Sequence, residues 1–149
     1  MADAADEAAI DLLLGAKTIA VVGLDSREDR PAHQVARYLK EHGYRIVPVH
    51  RGRFAADEVL GERAYATLRE VPEAIDLVDV FVRPADTDEV IEEAIAIGAK
   101  GVWLQEGITN EAGIERARAA GLAAIQDRCA KVVHSQRAGG AATGSQAPG

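Results

Sequence analysis

The sequence predicts an α/β domain built on a doubly wound, parallel, five-stranded sheet with helices on both faces. Three observations carry that prediction. Short runs of Val, Ile, Leu and Ala recur along the chain, the composition of strands buried on both faces. Each run alternates with a stretch of helical periodicity, the pattern that folds into right-handed βαβ units. Glycines stand at the joints, with Gly15, Gly23, Gly43, Gly98 and Gly121 each closing an element. A length of 149 residues accommodates one such domain and little more.

In chain order, residues 5–15 read as a short helix with Ile10, Leu13 and Leu14 on one face. Residues 18–23 form an apolar run stopped by glycine, the first strand. A polar loop over 24–30 leads to Pro31, which is tolerated at the first helical position and opens a helix to His42. Val35, Tyr38 and Leu39 form its apolar stripe. Residues 44–49 are the second strand, followed by a polar loop over 51–57 and a short extended piece over 59–65. Thr67 and Glu70 have the spacing of a capping box on a one-turn helix. Residues 76–82 are the third strand, and Asp86 is placed to cap a helix ending at Ile97. Residues 101–105 are the fourth strand, Asn110 caps a helix to Ala120, and residues 122–126 are the fifth strand. The expected organisation is an N-terminal helix over 1–16, the domain over 17–136, and a disordered tail over 137–149, where Gly, Ala, Ser, Gln and Pro leave little to bury.

Composition excludes several functions. The formal charge of −7 argues against nucleic acid, whose binders need a basic face. The longest apolar runs are too short to span a bilayer, and the acidic, Ala-rich N-terminus lacks the basic start of a signal peptide. One cysteine, Cys129, cannot form an internal disulfide, which fits a reducing cytoplasm. His33, His42, His50 and His134 show no metal-ligand spacing, so no metal site is expected. A G-x-S-x-G motif is missing, and no nucleophile–base pair is legible.

Against that acidic background, six arginines fall where predicted strands hand over to loops: Arg27, Arg30, Arg51, Arg53, Arg83 and Arg128. Ligands of open α/β sheets bind at the carboxyl ends of the strands, and the guanidinium fork matches phosphate oxygens two at a time. The reading is a small phosphorylated ligand at that edge. Gly23 permits a tight turn into a helix N-terminus, a phosphate-attracting arrangement. The dinucleotide fingerprint G-x-G-x-x-G is absent, and His50 and Arg51 stand where a ribose-binding acid would end the second strand, which disfavours a nicotinamide cofactor. Val82, Arg83 and Pro84 are placed to wall a flat ring. Trp103 reads as core packing by itself, whereas Gln105 and the Glu106-Gly107 pair end a strand and face the crevice. Cys129 reads as a small buried hydrophobe, with a reactive thiol beside Arg128 as the weaker alternative.

The assembled string resembles the small bacterial CoA-binding proteins, whose single Rossmann-like domain is similar to the CoA-binding domain of succinyl-CoA synthetase alpha subunits. The match is carried by Ile19-Ala-Val-Val-Gly-Leu24, Asp29-Arg-Pro31, Gly43-Tyr44, Val47-Pro-Val49, Val78-Asp-Val-Phe81 with Arg83-Pro84, Glu93-Ala-Ile-Ala-Ile-Gly-Ala-Lys100, Val102-Trp-Leu-Gln-Glu-Gly107 and Asp127-Arg-Cys129. The first of these is generic, and the last three are specific to the family. The resemblance implies CoA contacts at Gly23, Leu24, Asp25 and Ser26, at His50 to Arg53, at Val82, Arg83 and Pro84, and at Trp103, Leu104 and Gln105. Two departures stand out. The family often has a small hydroxyl residue where this chain has Asp25, and an acid there repels phosphate unless Arg27 or Arg30 offsets it. The family's Asn-Pro-Lys-like stretch here reads His50-Arg51-Gly52. The phosphohistidine domain of the synthetase does not follow within this sequence. The expected function is therefore a non-catalytic module for CoA or acyl-CoA, acting as carrier, sensor or accessory subunit. Two alternatives stay open: a redox thiol protein forming a mixed disulfide with CoA through Cys129, and a module binding only adenine nucleotides.

Overall fold

The computed structural model describes residues 2–144. Its elements run α1 (Ala4–Gly15), β1 (Thr18–Val22), α2 (Pro31–Glu41), β2 (Arg45–Val49), the two-residue strands β3 (Glu58–Val59) and β4 (Glu62–Arg63), β5 (Leu77–Val80), α3 (Thr87–Ala96), β6 (Gly101–Leu104), α4 (Glu111–Ala119), β7 (Ala123–Ile125) and α5 (Ala130–Gly144). Single 3-10 turns occupy Leu68–Glu70 and Pro84–Asp86.

The main sheet is parallel, with strand order β2-β1-β5-β6-β7. Side chains alternate between its faces, as a period of two requires. Ile19, Val21, Ile46, Leu77, Trp103 and Ile125 join the core beneath α1, α2 and α5. Ala20, Val22, Val47, Val78, Val80, Val102 and Leu104 join the core beneath α3 and α4. Both faces are covered, so the strands carry continuous apolar runs, as their sequence indicated. Asp79 is the exception, a carboxyl with no exposed surface in the middle of β5. Pro48 sits in an edge strand, where its missing N–H does not break a central ladder. Its carbonyl accepts from Tyr65 N at 3.0 Å, and Tyr65 O accepts from His50 N at 2.9 Å, so the segment after β4 covers part of that edge.

Several local expectations are corrected. Leu14 is 40% exposed, and the buried face of α1 is Ala9, Ile10 and Leu13 instead. The extended piece over 59–65 folds back as the antiparallel β3–β4 hairpin. Thr67 makes no side-chain cap, and Glu70 Oε1 accepts instead from Ala66 N at 3.3 Å. Asp86 precedes α3, but its carboxylate accepts from Arg83 Nε at 3.2 Å rather than from the helix amides. Asn110 does cap α4, its Oδ1 accepting from Gly113 N at 2.9 Å.

The largest difference lies at the C-terminus. The stretch from Arg137, read as a tail, continues as helix to Gly144 within α5. Ala130, Val133 and His134 fall at helical spacing and are buried. Residues 137–144 hold three alanines and three glycines, so the helix continues from this packed turn rather than on the propensity of its later residues. Arg137 donates to both carboxylate oxygens of Glu7 in α1, at 2.9 and 2.7 Å. The remainder of the expected tail, 145–149, lies outside the described residues.

Candidate functional site

The chain passes from β1 out to the edge strand β2, then returns to the other side of β1 as β5. The helices that follow β1 and β5 pack on opposite faces of the sheet. Between them the carboxyl ends of the strands are left uncovered, the switch point at which open α/β sheets bind ligands. A groove lies there in two adjoining lobes. The first, about 460 Å³, is walled by Arg51, Val82, Arg83, Asp86, Glu89 and Glu93. The second, about 470 Å³, is walled by Arg30, Pro31, Val35, Gln105, Ile108 and Cys129. Gly23, Arg27, His50 and Phe81 line both.

Gly23 is where the lobes meet, and only glycine fits. Its φ is +103°, and a Cβ there would lie 2.5 Å from the Phe81 carbonyl oxygen. Its N–H donates to Val49 O at 2.8 Å, and Phe81 N donates to Val22 O at 2.8 Å, so three strand ends are drawn together around a bare backbone.

The acid at position 25 does not face the groove as a free charge. Asp25 is 2% exposed and receives Arg27 three ways: from Nη2 at 2.7 Å, from Nε at 3.2 Å and from the backbone N–H at 3.0 Å. His50 Nε2 stands 3.2 Å from Oδ2, the oxygen that Arg27 Nη2 also meets. Burial works to raise the Asp25 pKa, but the Arg27 hydrogen bonds and the nearby charges of Arg27 and His50 outweigh it and hold the carboxyl below its ordinary range. The pairing answers the repulsion that the sequence raised. Arg27 and His50 are both pinned at the junction, and His50 Nδ1 is buried there without a hydrogen-bond partner among the described residues.

The other arginines divide. Arg51 pairs with Glu89 at 3.1 Å and Arg83 with Asp86 at 3.2 Å, all four side chains being about half exposed or more. Arg30 is in none of the ion pairs among the described residues and lines the second lobe beside the start of α2, a helix with no side-chain cap. Arg53 and Arg128 line neither lobe; Arg53 lies over the Phe54 ring at 5.5 Å, and the Arg128 carbonyl accepts from Trp103 Nε1 at 2.8 Å.

Of the residues expected at the site, Gly23, Arg27, Arg30, His50, Arg51, Val82, Arg83 and Gln105 therefore line the groove. Leu24, Trp103 and Leu104 do not, because each is fully buried in the core. Ser26 is a tether, its N–H and Oγ both meeting Phe54 O, and Pro84 opens a 3-10 turn whose carbonyl accepts from Thr87 Oγ1. Sequence reasoning missed Phe81 as the shared floor of both lobes, and missed the apolar wall of Val35 and Ile108. Position was the available signal for Phe81, one residue before Val82 at a strand end.

Beneath the second lobe lies a buried polar pair. Gln105 Nε2 donates to Asp79 Oδ1 at 2.7 Å, and Asp79 Oδ2 has no partner among the described residues. Burial pushes the Asp79 carboxyl up to about 7, against the opposing hydrogen bonds from Gln105 and from the Val80 backbone. No group of three or more His, Cys, Asp or Glu side chains suited to a metal ion occurs among the described residues. No helix among them is long and apolar enough to cross a membrane.

A family model described as a CoA binding domain matches residues 17–135. The chain belongs to that family. It is 38% identical over 125 residues to the uncharacterized protein YneT of Bacillus subtilis, covering 84% of this chain and 90% of that one. A Thermus thermophilus structure called cell-free ID.343 superposes with a TM-score of 0.79 at 40% identity, covering 87% of this chain and 96% of the other. The alpha subunit of an ADP-forming acetate–CoA ligase II from Pyrococcus furiosus is 28% identical over 110 residues, which are 73% of this chain but only 23% of the subunit. The Rossmann-like α/β fold expected from the sequence is the fold of this CoA-binding family member.

Proposed function

We propose that the chain binds CoA or an acyl-CoA across its strand ends and carries no catalytic group of its own. The observation that supports this best is the two-lobed groove meeting at Gly23, at the switch point of a CoA-binding family domain. The lobes differ in chemistry as the two halves of CoA differ. The first lobe, with Arg27, His50, Arg51 and Arg83, suits the phosphates and the nucleoside. The second, with Val35, Ile108 and Cys129 beside Gln105, suits a flexible arm bearing amides and a thiol. Arg30 and the uncapped start of α2 stand between an anion and that arm. With no catalytic group in the groove, the role we read is that of a carrier, sensor or accessory subunit. A reducing cytoplasmic setting fits the single free cysteine.

Calorimetry with CoA, acetyl-CoA, ATP and NAD in one buffer tests the reading. CoA is expected to bind most tightly and NAD far more weakly, because the groove has one glycine of the dinucleotide fingerprint and His50 in place of a ribose-binding acid. NAD binding as tight as CoA would overturn it. Equal affinity for ATP and CoA would reduce it to adenine-nucleotide binding through the first lobe alone.

A further inference from the structure

We infer that Asp79 and Gln105 form a proton-operated amide switch, which sets whether the second lobe offers its ligand an acceptor or a donor. Naming CoA as that ligand rests on the reading above.

The switch is built from a buried acid and a groove residue. Asp79 stands in β5 with no exposed surface, and its Oδ2 has no partner among the described residues. Its side chain is held by Gln105, whose Nε2 donates to Oδ1 at 2.7 Å. Gln105 also lines the second lobe, and its Oε1 is not one of the buried unpartnered atoms. One amide therefore touches both the sealed carboxyl and the groove.

This arrangement suits the ionised acid, which only accepts. A proton does not fit it unchanged. On Oδ1 it would meet the N–H of Gln105, and on Oδ2 it would find no acceptor among the described residues. A half-turn of the amide resolves this. Oδ1–H then donates to Gln105 Oε1, and the NH2 group turns to the lobe. Oδ2 is left as a neutral carbonyl, which costs less to bury unpaired than a charged oxygen. Burial lifts the carboxyl to about 7, so both forms are populated near neutrality.

Beside Asp79, β1 and β6 present Val21 and Trp103 in register. Of the helices covering this face, α1 buries only apolar side chains, α2 carries His33 and Tyr38, and α5 carries Lys131 and His134. Asp25, Arg27, His50 and Cys129 stand at the strand ends. None of these groups is among the causes that move the Asp79 carboxyl, which are burial, Gln105 and the Val80 backbone. Arg27 and Arg30 already supply the second lobe with donors. An amide N–H of the CoA arm needs an acceptor there, and Gln105 turns its carbonyl outward when Asp79 is ionised. Binding through that carbonyl expels the Asp79 proton, so affinity follows the ionised fraction. A charge acting through space would do the reverse, because an ionised acid repels an anionic ligand.

The first measurement needs no ligand. In the isotope-labelled full-length chain, the Asp79 carboxyl carbon and the Gln105 side-chain amide should titrate together by NMR with a midpoint of about 7. The Gln105 change should vanish in Asp79→Asn. A Gln105 amide that stays unmoved while Asp79 titrates overturns the switch, as does an Asp79 that does not titrate near neutrality. The second measurement is calorimetry with CoA. Relative to Asp79→Asn, the parent should bind about tenfold more weakly at about pH 6 than at about pH 8, the change in ionised fraction that this midpoint implies. Comparison with the variant cancels every other titrating group, those of CoA included. Gln105→Leu should lose the same slope while its Asp79 still titrates. Equal slopes in parent and Asp79→Asn, or a slope of the opposite sign, overturn the coupling. If CoA binds neither chain at any pH, the CoA reading fails instead, and the ligand-free titration decides the switch by itself.

Discussion

Replacing Asp79 with Asn should change how stability depends on pH more than any other single substitution in the sheet. The carboxyl has no exposed surface, one oxygen is held by Gln105 and the other has no partner among the described residues. Burial moves it from 3.8 to about 7. The folded chain thus binds this proton more tightly than the unfolded chain does, so stability falls as pH rises from about 4 and levels off above about 7. The whole displacement corresponds to roughly 4 kcal/mol, of which roughly 2–3 kcal/mol falls between about pH 5 and pH 8. Asparagine keeps the shape and an oxygen to accept from Gln105, but it does not titrate. Urea unfolding of parent and Asp79→Asn, at several pH values across that window, isolates this residue, since every other titrating group is common to both chains. The parent should lose ground relative to the variant steadily as pH rises. A difference that stays flat across the window would show that folded Asp79 is ionised throughout it, as in the unfolded chain, and the argument from burial would fail. Groups that act in the other direction do so at lower pH. Asp25 and Asp76 are each pushed up by burial but held below 3.8 by hydrogen bonds and cations, so their contribution is present above that value and is lost only as pH falls below it.

Gly23→Ala should destabilise the fold by about 1–3 kcal/mol, read from the urea midpoint, because it combines a left-handed backbone with a 2.5 Å approach to Phe81 O; an unchanged midpoint would show that the β1 and β5 ends part easily. Arg27→Ala removes the main partner of Asp25, so the Asp25 carboxyl should titrate higher by NMR and CoA should bind roughly tenfold more weakly. Arg83→Ala should weaken CoA binding by up to about tenfold, since its exposed pair with Asp86 yields to a phosphate at small cost; unchanged affinity by calorimetry would take the phosphates away from the first lobe. Ending the chain at Gln136 removes the Arg137–Glu7 pair and the last turns of α5, and should lower the melting temperature by more than the ~2 °C expected of a detached tail.

The sheet was legible because its strands are buried on both faces, so each appears as an unbroken apolar run that no surface helix would show. The α4 cap was legible for a similar reason, since Asn110 needs only its own neighbours to form it. The Thr67–Glu70 and Asp86 caps were not. Their local preference competed with partners distant in sequence or in a preceding turn, and those partners won. The C-terminal helix was hidden because its burial depends on α1 and α2, which lie far back in the sequence, and its later residues carry little apolar signal of their own. Trp103 shows the limit of carrying positions over by resemblance. It lies two residues before Gln105 on the same face of the sheet, but within β6 rather than past its end, so it is buried in the core, where its indole N–H is satisfied by Arg128 O.

Clustering of arginines at strand ends was a reading of number, and the structure changes it into a reading of arrangement. Exposed pairs such as Arg51–Glu89 and Arg83–Asp86 are worth little in water, so a phosphate can take the guanidinium from either carboxylate at small cost. The Asp25–Arg27 pair is different, because Asp25 is almost wholly buried and has no water to return to. That pair uses Arg27 Nε and one N–H of Nη2, leaving the other Nη2 hydrogen and both of Nη1 to point elsewhere. An arginine held by a buried acid has already lost its conformational freedom before a ligand arrives, so less is lost on binding. The acid that looked like an obstacle to phosphate is thereby the residue that fixes Arg27, the side chain we propose for phosphate, at the junction of the two lobes.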